Sequence, residues 1–196
     1  MKFYRVSSRS LWGDYGSILI SGLSRHLPRK DNLIQLERTG PFIPPVTLPG
    51  LGDIIATSAF KNDIEGSHFN QVTFAPVLKA RIVEYRWEQW DRTSENPAEY
   101  PETGEPENYI LARPHSPPIA EKLGDLWEVI LPEDAEVEGV RIGRGIWEYR
   151  VNHSTWRGSH LFRAKGKRHV IATEEAKFWL EDRAKEWLGF QDTQVL

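Results

Sequence analysis

Between Glu84 and Tyr109, acidic and aromatic side chains are interleaved in a pattern that suits recognition of another protein. The stretch holds Glu84, Glu88, Asp91, Glu95, Glu99, Glu102, Glu105 and Glu107 against two bases, Arg86 and Arg92. Tyr85, Trp87, Trp90, Tyr100 and Tyr109 stand among these acids, and Pro97, Pro101 and Pro106 hold parts of the stretch extended. Aromatic rings supply burial at an interface, while carboxylates steer a basic partner. The expected contacting set is Trp87, Glu88, Trp90, Asp91, Glu95, Glu99, Glu102 and Glu105. A blander arrangement uses the same residues, with the rings in the core and the acids solvated or paired with bases elsewhere.

Histidines offer a second kind of chemistry. Arg113-Pro114-His115-Ser116 follows the acidic stretch, and His153, His160 and His169 cluster later. Two imidazoles with carboxylates can bind a metal or relay protons. No H-x-x-x-H or H-E-x-x-H spacing occurs, so ordinary surface or hydrogen-bonding roles are the expectation. No metal, cofactor or catalytic residue is assigned. The enzymatic alternative places Arg113 and His115 with Glu105 or Glu107 in a loop-lined cleft.

From Arg141 to Arg168 the charge reverses, with Arg141, Arg144, Arg150, Arg157, Arg163, Lys165, Lys167 and Arg168 against Glu148. Trp147, Tyr149, Trp156 and Phe162 interleave with these bases, a pattern that also occurs in single-strand nucleic-acid binders. Alternation along a strand that buries the aromatics explains it as well, and the acidic stretch is an internal counter-charge. Nucleic acid is therefore not an expected partner.

No phosphate-binding glycine motif and no G-x-S-x-G elbow is present. The 196 residues contain no cysteine, which excludes disulfides, thiol nucleophiles and thiolate metal sites. With 25 basic and 28 acidic residues, the formal charge of −3 gives no global attraction to nucleic acid or anionic membrane. No stretch approaches the roughly 20 apolar residues of a membrane span, and the N-terminus lacks a signal-peptide core. The cytoplasm is the expected location.

The elements that must position these groups read as α+β, in a mixed or antiparallel sheet. Residues 53–65 can be laid on residues 169–181, matching Ile55, Ala56, Thr57, Lys61 and Glu65 to Ile171, Ala172, Thr173, Lys177 and Glu181. Phe74 then falls on Phe190 without a gap. Each copy reads as a strand ending at a Thr that caps a helix. Ala176, Leu180, Ala184 and Leu188 make one apolar stripe, and Phe60 and Ile64 the other, ending at Gly66. Chance similarity between two generic strand–helix units also accounts for such a match.

Lys2 to Val6, Leu126 to Leu131 and the alternating Trp147, Tyr149 and Val151 read as strands. Leu78 to Tyr85 reads as a strand whose phase flips, suggesting a bulge. Lys165-Gly166-Lys167 reads as a turn. Gly40 to Gly50 reads as a long ordered loop, because its prolines remove backbone donors, and Phe42, Ile43, Val46 and Leu48 pin it. The expectation is one α+β domain over 1–196. An internal duplication would give it two lobes, about 1–83 and 126–196, joined by an acidic aromatic loop region, 84–125.

His169-Val170-Ile171-Ala172-Thr173-Glu174-Glu175-Ala176-Lys177, closed by Trp187-Leu188-Gly189-Phe190, resembles the last unit of a group of bacterial polymorphic-toxin immunity proteins. Leu161-Phe162-Arg163 and the start Met1-Lys2-Phe3-Tyr4-Arg5-Val6 fit the same likeness, which covers the two chain ends. The resemblance implies an antitoxin that binds and neutralises a cognate toxin domain by stoichiometric contact and has no catalytic residues. A basic, nuclease-like toxin cleft would suit the acidic set. Relatives of the double-CXXCG type carry paired cysteine metal sites. This chain has no cysteine, so any zinc-dependent feature of that group is absent.

Overall fold

The computed structural model of the chain describes residues 1–9, 16, 20, 27–69, 71–85, 94 and 106–196, with the backbone alone at 106 and 109. The order begins β1 (Phe3–Ser8), β2 (Gln35–Pro41), β3 (Val46–Gly50), β4 (Asp53–Thr57), α1 (Ser58–Glu65), β5 (Thr73–Pro76) and β6 (Leu78–Tyr85). It continues α2 (Pro106–Ala112), α3 (Pro117–Lys122), β7 (Leu126–Ile130), β8 (Glu133–Asp134), β9 (Glu136–Gly143) and β10 (Ile146–Asn152). A 3-10 turn (His153–Thr155), β11 (Leu161–Ala164), β12 (Val170–Thr173), α4 (Glu174–Ala184), β13 (Leu188–Asp192) and β14 (Gln194–Val195) complete it. The fold is α+β with mixed and antiparallel sheets. Two helices, α2 and α3, occur within the span read from sequence as loop.

The chain divides into two compact units, one of Met1–Ser7, Asn62–Thr73 and Ile130–Leu196, the other of Ser8–Lys61 and Phe74–Val129. In the first, a five-stranded sheet runs β13-β1-β12-β11-β8 and a three-stranded sheet runs β14-β10-β9. Phe3, Phe162 and Ile171 from the first sheet meet Val137, Tyr149 and Val151 from the second in one core cluster. The second unit has a four-stranded sheet, β3-β4-β7-β5, and a parallel pair, β2-β6. Ile34, Leu36, Ile55, Val77 and Leu126 form one cluster there, and Ile82, Ile119, Ala120 and Leu123 another.

The repeat read from sequence has a structural counterpart in strand order and register. The chain contains two strand–helix–strand segments, β4-α1-β5 and β12-α4-β13, each with its first strand between two antiparallel neighbours. Ile55, Ala56 and Thr57 pair with Glu128, Trp127 and Leu126. The matched Ile171, Ala172 and Thr173 pair with Arg5, Tyr4 and Phe3. The other neighbours match as well, since Val46 pairs with Ala56 and Leu161 with Ala172. Thr57 and Thr173 both cap, each hydroxyl accepting the backbone N–H three residues on at 3.3 Å. One matched detail reaches the side chains. Lys61 Nζ lies 5.2 Å from the Phe74 ring and 4.9 Å from that of Trp127. Lys177 Nζ lies 5.6 Å from Phe190 and 5.2 Å from Tyr4. These four rings occupy equivalent places, so each unit holds a lysine against two aromatic faces.

Some expectations need correction. The span from Gly40 to Gly50 holds the end of β2 and all of β3 rather than loop alone. β3 is an edge strand, and its pairing with β4 slips between Thr47 and Gly50, so Pro49 displaces no ladder bond. The phase change in β6 has its bulge at Ala80, which β2 skips between Lys79 and Arg81. Ile82, Val83 and Tyr85 are all buried. Ile130, read as part of a buried run, is exposed at the end of β7.

Candidate functional site

The predicted contacting set, Trp87, Glu88, Trp90, Asp91, Glu95, Glu99, Glu102 and Glu105, lies outside the described residues. At its margins, Tyr85 is buried on β6 and Glu84 is exposed. The enzymatic alternative meets a different finding. Nδ1 of His115 accepts the Ile82 backbone N–H at 3.0 Å, and Ser116 N–H donates to the Ile82 carbonyl at 2.8 Å. The loop between α2 and α3 is thereby bonded to β6, and one imidazole nitrogen is occupied in doing so.

A cleft of about 360 Å³ in the first unit is lined by Glu133, Asp134, Trp156, Arg157 and Lys165 among others. Its buried carboxylate, Asp134, accepts backbone N–H groups from Ala135 and Arg157 at 2.8 Å and from Ser159 at 3.1 Å. Three backbone donors on one carboxylate organise the 153–159 loop.

Among the described residues, the surface most suited to binding is the β9–β10 hairpin. Its strands join through Arg144 and Gly145, where Gly145 takes φ 75°, a value that glycine adopts without strain. Pairing runs Gly143 with Ile146 and then Arg141 with Trp147, so Ile142 is left as a bulged residue. Ile142, Ile146 and Trp147 are 59%, 58% and 46% exposed. Trp147 had been read as an inward residue, in phase with Tyr149 and Val151. The phase is right, since a Cβ on Gly139 would touch both the Trp147 and Tyr149 rings. However, β10 runs past the end of the core, so Trp147 reaches solvent while Tyr149 and Val151 are buried.

The base of this hairpin is firmly held. Gln191 donates to the Trp147 carbonyl at 2.7 Å, and Gln194 to Glu148 Oε2 at 2.8 Å. β14 runs parallel to β10, and Leu196 N–H donates to the Val151 carbonyl at 2.9 Å. Among the described residues, no strand pairs with the outer edge of β9. Such an edge leaves backbone donors and acceptors available to a partner strand.

Cationic groups gather around Tyr149. The Arg5 guanidinium lies 4.7 Å over the Tyr149 ring, and its buried Nε has no hydrogen-bond partner. His169 meets the same ring edge-on at 4.9 Å. Burial first, then the charges of Arg5 and Lys167, holds the His169 imidazole below its ordinary pKa. The repeat sharpens this point, because the residue matched to Arg5 is Glu128. Glu128 is 6% exposed and takes both terminal nitrogens of Arg29, at 2.7 and 2.8 Å. Matched positions thus carry opposite charge. The acid has an internal bidentate partner, whereas Arg5 has no ion pair among the described residues.

Sequence reading gave no role to Arg5, Ile142 or Ile146. A run of apolar residues around a Gly-Arg-Gly turn was the available signal. No family model matches this chain, and no curated protein sequence matches it.

Proposed function

We propose that this chain is a binding protein of the immunity type, which docks on a cognate toxin domain and blocks it by stoichiometric contact. One observation carries the reading. Ile142, Ile146 and Trp147 are all exposed at the tip of a hairpin fastened at its base, next to an open strand edge. Large apolar groups held rigid at a surface are typical anchors of protein interfaces, because little side-chain freedom is lost on binding. Arg141 and Arg144 flank them, so the matching recess on the toxin would be apolar with a carboxylate rim. In the same proposal the acidic set from Trp87 to Glu105 supplies a second contact, suited to a basic, nuclease-like cleft. The protein would act in the cytoplasm. No helix among the described residues is long and apolar enough to cross a membrane.

The experiment pairs the chain with the toxin domain encoded beside it. Co-expression should restore growth, and the purified pair should form a 1:1 complex. Ile146→Asp with Trp147→Asp should weaken the complex by roughly 100-fold or more, as expected when two anchors each worth about 2 kcal/mol are lost. Glu95→Lys, Glu99→Lys and Glu102→Lys together should slow association, more at low salt than at high. Full affinity in the hairpin double variant removes that surface from the account. Failure of the wild-type chain to protect growth rejects the immunity reading itself.

A further inference from the structure

Three residues that lie far apart in sequence converge in the first unit. His68 follows α1, His160 immediately precedes β11, and Glu175 lies in the first turn of α4. His68 Nε2 is 2.8 Å from Glu175 Oε1, and His160 Nδ1 is 3.3 Å from Glu175 Oε2. All three donor atoms fall within 4.8 Å of one another. The two imidazole rings stand nearly perpendicular, at 88°, with centroids 5.1 Å apart.

The surroundings hold these groups in place. Phe69 is buried, and its ring lies 4.7 Å from the His68 ring and 5.0 Å from that of Trp179. Thr173 Oγ1, which already accepts the Ala176 N–H, lies 3.3 Å from His160 Nδ1. A proton or a metal cation between each imidazole nitrogen and the Glu175 carboxylate makes these short separations favourable.

The repeat provides an internal control. Thr57 N–H donates to the Pro45 carbonyl at 3.0 Å, and the matched Thr173 N–H donates to the His160 carbonyl at 2.8 Å. His160 thus corresponds to Pro45, and Glu175, two residues past the capping Thr, corresponds to Ala59. The strand–helix framework of β4 and α1 forms without an imidazole or a carboxylate at these places. The framework does not require His160, and Glu175 favours the helix N-terminus without being needed for it.

We propose that His68, His160 and Glu175 form a binding site for a divalent transition metal, Zn²⁺ foremost, with solvent completing the shell. Two imidazoles and a carboxylate are a zinc ligand set, with bonds of about 2.0 to 2.2 Å and ligand-to-ligand edges of about 3.4 Å in a tetrahedron. The His160–Glu175 separation of 3.3 Å is already close to that edge, and His68, at 2.8 Å from Glu175, has to move out by about 0.6 Å. His68 binds through Nε2 and His160 through Nδ1, the atoms that face Glu175. Half-exposed ligands leave a coordination position open to water, and the ion ties the 62–73 segment to β11 and α4 within the unit.

The test uses the full chain, stripped with chelator and titrated calorimetrically with ZnCl₂. One equivalent should bind saturably, and excess Zn²⁺ should raise Tm. Co²⁺ should give the visible bands of a tetrahedral ion in the wild-type chain, a readout that requires no variant to fold. H68Q, H160Q and E175Q should each weaken Zn²⁺ binding at least 10-fold, and the triple variant should lose the stoichiometric site while its metal-free circular dichroism matches wild type. Absence of a one-to-one event in the wild-type chain, or equal binding by wild type and the folded triple variant, overturns the proposal.

Discussion

Arg38 lies on β2 with none of its side chain exposed, and replacing it with methionine should make the protein more stable. Its Nε donates to the Thr39 carbonyl at 2.8 Å, and Nη2 donates to the Phe42 carbonyl at 3.3 Å. The remaining Nη1 is buried with no hydrogen-bond partner. Burial pushes the guanidinium pKa well below the ordinary arginine range, down to about 9. At about 1.4 kcal/mol per pH unit, that difference is a penalty of about 5 kcal/mol for keeping the charge inside at neutral pH. Charge-carrying donors return about 1.5 to 3 kcal/mol per good hydrogen bond, and the longer of the two here is weaker than that.

Methionine fills much of the same space, removes the charge and leaves two carbonyls short of a donor. Arg38→Met should therefore be more stable by about 1 to 2 kcal/mol, in keeping with buried charges replaced by apolar groups elsewhere. For a chain of this length the corresponding rise in Tm is roughly 3 to 6 °C. Urea unfolding at pH 7 should show a higher midpoint and an unchanged slope. The pH dependence has a definite sign. From about pH 9 up to the ordinary arginine range the unfolded state holds the Arg38 proton more firmly than the folded state does, so wild-type stability rises with pH in that window. From pH 9 to 10.5 the wild type should gain about 1 to 2 kcal/mol on the variant. A variant less stable than wild type by about 1 kcal/mol at pH 7 would refute the reasoning. So would a difference that stays constant across the alkaline series.

Arg29→Met should destabilise by about 2 to 3 kcal/mol, because it leaves the buried Glu128 carboxylate without its bidentate partner. Adding Glu128→Gln to that variant should recover most of the loss, and additive effects in denaturant titrations would reject the coupling. His169 contributes in the acid range. Its folded pKa lies below the ordinary value of 6.5, so the stability it confers is complete above pH 6.5 and is lost as pH falls towards the folded pKa. His169→Gln should flatten the drop in Tm between pH 7.5 and 5.5, and an unchanged drop would assign it to other groups.

The strand–helix units could be read directly from the chain because their causes are local. A capping Thr, acids in the first turn and an apolar residue every fourth position act within a few residues of one another. Those signals placed β4-α1 and β12-α4, and the match between copies extends to register and to the lysine held between two rings. The prolines misled the reading of Gly40 to Gly50, since a proline's missing donor matters only where a neighbouring strand needs it. At Pro49 the register slip of an edge strand removes that need.

Composition and spacing by themselves determined an α+β chain with repeated strand–helix units, Thr caps and an alternating strand at Trp147. Tertiary structure decided what those elements present. Alternation assigns Trp147 to a face, but only the end of the core beneath β10 decides whether that face is covered. Position 5 and position 128 read as unrelated residues until sheet pairing makes them equivalents with opposite charge. His68, His160 and Glu175 share no spacing at all, because three separate segments bring them together. Periodicity arises from the geometry of one segment, whereas the meeting of distant side chains arises from how segments pair and pack.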